Sequence, residues 1–306
     1  MTQQPKYRTP RAVKTALGQR ARDTTSTHSV QELERQYHFH RFLARVAAHD
    51  QAGWVLKGGQ ALLVRYRHGR ASRDIDLYNS QAHTLDQAVD ALRSAAAVDL
   101  GDYFQFQFLD RSNQQDHQAA QGAKIRFQTL LGADALPIFG VDVVVGLLPT
   151  QTPEVQAIVP EIQIDWPMVD EPPRLLIYPV VDHLADKICA LYETHQGEPS
   201  SRYRDLVDVL LIATKEDLSA DDTIRAVVSE SARRRQSGRV ELTLPARFEI
   251  PGPAWSAGYE KEASKVATLG DLRSFPAARQ LADAFLSPIL SGARTGYWRH
   301  GTRSWD

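Results

Sequence analysis

The chain of 306 residues has one cysteine, Cys189. A lone thiol excludes an intramolecular disulfide framework and a cysteine-built zinc site. No charge sign dominates: 36 basic residues against 37 acidic ones give a formal net charge of −1. That excludes a uniformly basic nucleic-acid coat, although not a local basic patch. No run approaches the roughly 18 apolar residues that a membrane span needs. The opening stretch MTQQPKYRTPRAVK lacks an apolar core and does not read as a secretory signal. What is there is ordinary globular composition, 42% hydrophobic and 24% charged. The length suits one large domain or two small ones at roughly 100–200 residues each. The expectation is a cytoplasmic protein with no membrane partner.

Six basic side chains (Lys6, Arg8, Arg11, Lys14, Arg20, Arg22) and one acid, Asp23, mark the first 23 residues. Residues 1–28 read as a basic N-terminal arm, mostly solvated, with a short helix from Pro10 to about Gly18. Ser29 and Glu32 form a capping-box pattern, and the apolar spacing after them predicts a helix over 30–48. Strands are expected at 54–57 and 74–77, and helices at 60–67 and 83–97. Three further strands follow between 104 and 145 as an antiparallel meander. The last of them, 139–145, reads as buried. Six prolines between 149 and 173 mark a connecting, irregular region. Beyond it the pattern is helical, at 181–191, 204–214, 221–235 and 277–290.

The chemistry concentrates in Lys57-Gly-Gly-Gln-Ala-Leu-Leu63 and Arg70-Ala-Ser-Arg-Asp-Ile-Asp76. Two glycines between a strand and a helix let backbone N–H groups approach an anion, which the helix dipole also favours. From Lys57 to Arg73 there are five Lys or Arg residues and no acid. Asp74 and Asp76 then share one strand face, because side chains alternate with period two. Two carboxylates that close repel unless a cation lies between them, and hard oxygen ligands suit Mg²⁺. Asp142, alone among apolar neighbours, is the natural third carboxylate. The plainer reading is a pair of exposed acids beside Arg70 and Arg73. The glycine turn and the basic run favour the metal.

Together these residues resemble motif I of the AbiEii nucleotidyltransferase toxins, which include the MenT-type toxins and resemble the DNA polymerase β-like superfamily. Ala185-Asp-Lys187-Ile-Cys-Ala-Leu191 and Arg202-Tyr-Arg-Asp205-Leu-Val-Asp208 are similar to the family's helical motifs. The similarity spans about residues 54–212. The 14 residues between Gly59 and Asp74 match the AbiEii variant better than nucleotidyltransferases at large. The resemblance implies an α+β fold: a nucleotidyltransferase-type mixed sheet with flanking helices over 29–150, then a mainly helical C-terminal domain over 151–306. It implies that Lys57, Gly58, Gly59, Arg70 and Ser72 receive the triphosphate, with Ser72 also a modification site. Asp74, Asp76 and Asp142 would hold one or two Mg²⁺ ions and carry catalysis. Lys187 would neutralise triphosphate charge, oriented by Asp205 or Asp208. The implied partners are a nucleoside triphosphate, a tRNA 3′ end as acceptor, and a cognate antitoxin. Lys124, Arg126, the arm and Arg233–Arg235 would contribute phosphate contacts to RNA. Competing readings are transfer to a small-molecule or protein hydroxyl, and a non-catalytic nucleotide- or antitoxin-binding module. A kinase-like activity is disfavoured by the lack of a kinase glycine loop and His-Arg-Asp loop.

Overall fold

The structure, a computed structural model, describes residues 7–67, 69–114, 121–164, 172–195, 197–237 and 241–306. Lys6 of the arm and Pro167 of the proline-rich stretch lie outside them. The chain forms two compact units. The first takes in the described residues up to 147 together with 153–177, and the second takes in 148–152 and 178–306.

In the first unit, helix α1 (Pro10–Asp23) starts with Pro10 in its first turn and a Thr9 side chain that accepts from the Ala12 N–H. Val13, Leu17 and Ala21, four apart, are buried, so the solvated arm expected here is instead a docked amphipathic helix. Its basic residues Arg11, Lys14, Arg20 and Arg22 stay on the exposed side. Helix α2 (Val30–His49) carries both halves of the capping box at Ser29 and Glu32. Its Phe42 ring lies 5.1–5.3 Å from those of Phe106, Phe127 and Phe139. Each such buried ring contributes about 1.5–3 kcal/mol through apolar area removed from water.

The strands are β1 (Trp54–Lys57), β2 (Ile75–Asn79), β3 (Phe104–Gln114), β4 (Gln121–Leu131), β5 (Asp134–Val145), β6 (Glu154–Ala157) and β7 (Arg174–Ile177). Helix α3 (Gly58–Arg65) links β1 to β2, and α4 (Leu85–Ala96) links β2 to β3. Among the described residues these strands form one sheet in the order β3-β4-β5-β2-β1-β7-β6. The expected meander β3–β5 is antiparallel, β5 runs parallel to β2, and β2 runs antiparallel to β1. Residues 149–173 are less irregular than their prolines suggest. β6 lies among them and pairs with β7, which lies parallel to β1. That pairing places the division of the chain at 177, whereas proline content places it near 150.

On β5, Phe139, Val141, Val143 and Val145 are buried. Strand alternation therefore turns Asp142 to the opposite, half-open face, and its side chain is 28% exposed. The expectation of an acid enclosed within a fully buried strand is corrected accordingly.

The second unit is built on α5 (Val180–Leu191), α6 (Tyr203–Ala213), α7 (Ala220–Ser237), α8 (Trp255–Ala263) and α9 (Phe275–Leu290). α5 packs on α6 and α7, and α6 on α8. A hairpin of residues 297–299 and 304–305 pairs with 218–219. Its Trp298 is fully buried and donates from Nε1 to the Ala213 carbonyl at 2.7 Å. Among the described residues, no helix is long and apolar enough to cross a membrane.

Candidate active site

Strand register assembles the site. Lys57 on β1 pairs with Asp76 on β2, Asp76 with Asp142 on β5, and Asp142 with Lys124 on β4. Register partners point to the same side of a sheet, so one rung across four strands carries the charges plus, minus, minus, plus. Asp74 lies two residues before Asp76. Lys124 Nζ stands 3.4 Å from Asp74 Oδ2 and 3.6 Å from Asp142 Oδ2. The three carboxylates proposed from the sequence therefore do come to one place, and Lys124 stands between two of them.

The crowding shifts the ionisation of Asp142 and Lys124. Burial, then the like charges of Asp76 and Asp74, push the Asp142 carboxyl up to about 6 against the pull of Lys124. Desolvation pulls the Lys124 ammonium down, but Asp142 and Asp74 outweigh it, so its pKa rises.

The glycine turn closes over the same acids. Gly58 has φ +60°, and a Cβ there would fall 1.8 Å from Asp76 Oδ2. Only glycine combines that backbone with so close an approach. Lys57 occupies the N-cap position of α3 and makes no side-chain capping bond. The first-turn N–H groups point off the helix end, as an anion site requires. A Cβ on Gly59 would lie 2.9 Å from Ser72 Oγ and 3.5 Å from an Arg70 terminal nitrogen. Ser72 is 7% exposed and its hydroxyl donates to the Asp74 carbonyl at 2.9 Å. The Arg35 Nε donates to the Ser72 carbonyl at 3.3 Å, and the His28 ring bonds the Gly69 carbonyl at 2.8 Å. These contacts fix the loop that delivers Arg70, Ser72 and Asp74.

The helical motif residues form a separate cluster within the second unit. Lys187 on α5 is 4% exposed, which rules out a snorkelling surface lysine. Its Nζ donates to Asp205 Oδ1 at 2.7 Å and stands 3.2 Å from Asp208 Oδ2. Both aspartates, one turn apart on α6, therefore meet the lysine. Arg202 bonds the second oxygen of Asp205 at 2.5 Å. Ser200 ties this corner to α5 by donating to the Ala190 carbonyl at 2.8 Å.

One expected RNA contact, Arg234 in the run Arg233–Arg235, is corrected. Arg234 is buried, paired with Asp186, Glu193 and Glu230, and Arg233 is paired with Glu230. Arg126 is bound by Asp110 on the neighbouring strand. The pattern of residues had not marked Gly140, whose empty Cβ position lies beside Lys124 and Asp74. A glycine within a strand of valines was the available signal.

Among the described residues, no three Asp, Glu, His or Cys side chains stand arranged to hold a metal ion. The donor set fits a hard cation even so. Three carboxylates share one face, the cradle at Gly58 admits the Asp76 carboxylate, and an ammonium already marks where positive charge is favoured.

The mixed sheet carries paired carboxylates beside a glycine turn at a helix N-terminus, and the class follows from the family model. The model of the family "Nucleotidyl transferase AbiEii toxin, Type IV TA system" matches residues 41–284. The chain belongs to the AbiEii nucleotidyltransferase toxin family, and it is a nucleotidyltransferase. Membership carries with it a nucleotide substrate and a cognate antitoxin. Among solved structures, the fold resembles MenT4, nucleotidyltransferase toxin Rv2826c of Mycobacterium tuberculosis H37Rv. That match has 16% identity and a TM-score of 0.56, and covers 92% of this chain and 99% of that one. JHP933 from Helicobacter pylori matches more loosely, with 15% identity and a TM-score of 0.44 over 86% of this chain and 92% of that one. No curated protein matches the sequence.

Proposed function

We propose that the chain transfers a nucleoside monophosphate from a nucleoside triphosphate to an RNA hydroxyl, the 3′ end of tRNA, and so blocks aminoacylation in the cytoplasm. The observation that carries this reading is the single rung Lys57–Asp76–Asp142–Lys124, with Asp74 beside it and the Gly58 turn over it. Asp74, Asp76 and Asp142 are the residues that would hold Mg²⁺, which when bound supplies charge stabilisation at the reacting phosphorus. The N–H groups of the α3 first turn bind the triphosphate, with Lys57, Arg70 and Ser72 around them. Asp142 takes the proton of the attacking hydroxyl as general base. Bond formation at the α-phosphorus expels pyrophosphate, and the protein contributes position and fixed charge. Exposed Arg67 and Arg73 extend the basic run outward and supply phosphate contacts for RNA.

The test is incubation of the purified protein with Mg²⁺, total tRNA and each α-³²P-labelled nucleoside triphosphate, with Asp76→Ala alongside. Label on tRNA that disappears in the variant is the expected result. Label that appears only on protein or on an added small alcohol would overturn the RNA acceptor. Absence of label from every nucleotide would count against transfer to tRNA altogether.

A further inference from the structure

Lys124 has no part in the transfer as written above, yet it holds the centre of the site. It reaches in from β4, on the far side of β5 from Asp74. To arrive 3.4 Å from Asp74 Oδ2, its side chain passes over Gly140. A Cβ at Gly140 would lie 2.5 Å from Lys124 Cε and 3.0 Å from Asp74 Oδ1. Glycine inside a strand weakens it and often marks a close approach by another group. Here the approaching group is the lysine stem. The same ammonium stands 3.6 Å from Asp142 Oδ2, so one positive charge bridges an acid on β5 and one just before β2. Lys124 side-chain exposure is 35%, enough for the ammonium to swing out to water.

We propose that Lys124 is the resident counter-cation of this site, admitted by the space at Gly140, and that a divalent cation enters only by displacing it. The proposal rests on the reading of Asp74, Asp76 and Asp142 as the metal-binding residues. Two carboxylates on one rung, with Asp74 beside them, repel, and the ammonium offsets part of that repulsion while no metal is there. A cation that arrives must then break the ammonium's two contacts. The protein without nucleotide therefore binds a divalent cation more weakly than its three carboxylates alone would. The lysine guards the site against idle occupancy.

The experiment is a titration of the full-length, nucleotide-free protein with Mn²⁺, read by electron paramagnetic resonance of free Mn²⁺ and needing no turnover. Lys124→Met is expected to bind Mn²⁺ about tenfold more tightly than the wild type, because a unit charge within 4 Å of two ligands is removed. Lys124→Gln, which keeps a polar side chain, is expected to move the same way and covers the case of a Met variant that fails to fold. Arg126→Met removes the same charge two residues along β4, where Asp110 holds it, and is expected to change Mn²⁺ affinity by about twofold or less. Equal or weaker Mn²⁺ binding in both Lys124 variants, with Asp76→Ala still weakening it, would overturn the role of Lys124 and leave the metal site standing. An equal gain from Arg126→Met would also overturn it, because net charge alone would then explain the effect. Mn²⁺ binding indifferent to Asp76→Ala would remove the metal site and this inference with it.

Discussion

Asp102 and Asp142 both face basic side chains in the first unit, but their surroundings are opposite. Asp102 is 2% exposed and takes Arg41 Nε at 2.6 Å on one oxygen and an Arg45 terminal nitrogen at 2.6 Å on the other. Arg45 also donates to the Phe104 carbonyl at 2.6 Å and lies over the Phe106 ring. Burial works to raise the Asp102 carboxyl, and the two arginines outweigh it, so its pKa falls. At Asp142 the balance runs the other way: one lysine is shared with Asp74, Asp76 lies alongside, and the carboxyl rises. A structural cluster surrounds each acid with enough cations to satisfy it. At Asp142 the carboxylates crowd a half-open face, and burial and their mutual repulsion outweigh the pull of Lys124. The difference lies in the ratio of charges and in exposure, since the residue types are the same.

The sharpest way to break this comparison is to remove one acid from each cluster. Asp76→Ala is expected to lower nucleotidyl transfer by about 10³-fold or more, the scale of losing fixed charge stabilisation at phosphorus. The same variant should keep or slightly raise its urea midpoint, because a repelling carboxylate has gone. Asp102→Ala should do the reverse. It leaves two buried guanidinium groups without their acid, a loss of about 3–5 kcal/mol in unfolding free energy. Activity per folded molecule should hold. A stability loss in Asp76→Ala matching that of Asp102→Ala would erase the distinction.

A smaller effect is expected at the turn between the two regimes. Gly58→Ala meets a positive φ and the Asp76 carboxylate together. The backbone strain costs about 1–3 kcal/mol. Because the methyl group displaces Asp76, transfer should also fall by about 100-fold, the scale of a misplacement near 1 Å. Steady-state kinetics beside urea unfolding separates the two losses. Unchanged kinetics with lowered stability would mean that the turn serves the fold alone.

Much of this was legible in the sequence where chemistry and local pattern coincide. Asp74 and Asp76 announce a shared face by spacing, Ser29 and Glu32 announce a helix start, and Gly58–Gly59 announces a turn. Asp142 was legible as an unusual acid, although its face was not, because alternation within β5 is masked by a run of apolar residues on both faces. Lys124 and Gly140 gain their meaning only from the register between β4 and β5, which no local pattern states. The pairing of β7 with β1 joins residues more than a hundred positions apart, so the proline-rich stretch read as a linker. The docking of helix α1, which begins at Pro10 as expected, is hidden for the opposite reason. Its basic residues are conspicuous, while the stripe Val13, Leu17 and Ala21 that docks it is short and weakly apolar.

The smallest expected effect concerns what burial does to a base that has no acid to meet it. His40 stands beside Arg41 on α2 and is 7% exposed. Burial, with the charge of Arg41 adding to it, pushes the imidazole down to about 3. Arg41, by contrast, has the Asp102 carboxylate 2.6 Å from its Nε. An unfolded histidine takes up its proton near pH 6.5. The folded pKa is thus depressed, so the stability His40 contributes is complete above that pH and is lost as the pH falls towards 3. Between pH 7 and 5 the loss amounts to about 2 kcal/mol. Urea unfolding of the wild type and His40→Gln at pH 7, 6 and 5 checks it, with carboxylates such as Asp102 common to both proteins. The variant should lose less stability across that interval by about the same 2 kcal/mol. Parallel curves for the two proteins would show that the buried imidazole finds a way to hold its proton without an acid, and the rule drawn from Asp102 and Asp142 would lose its generality.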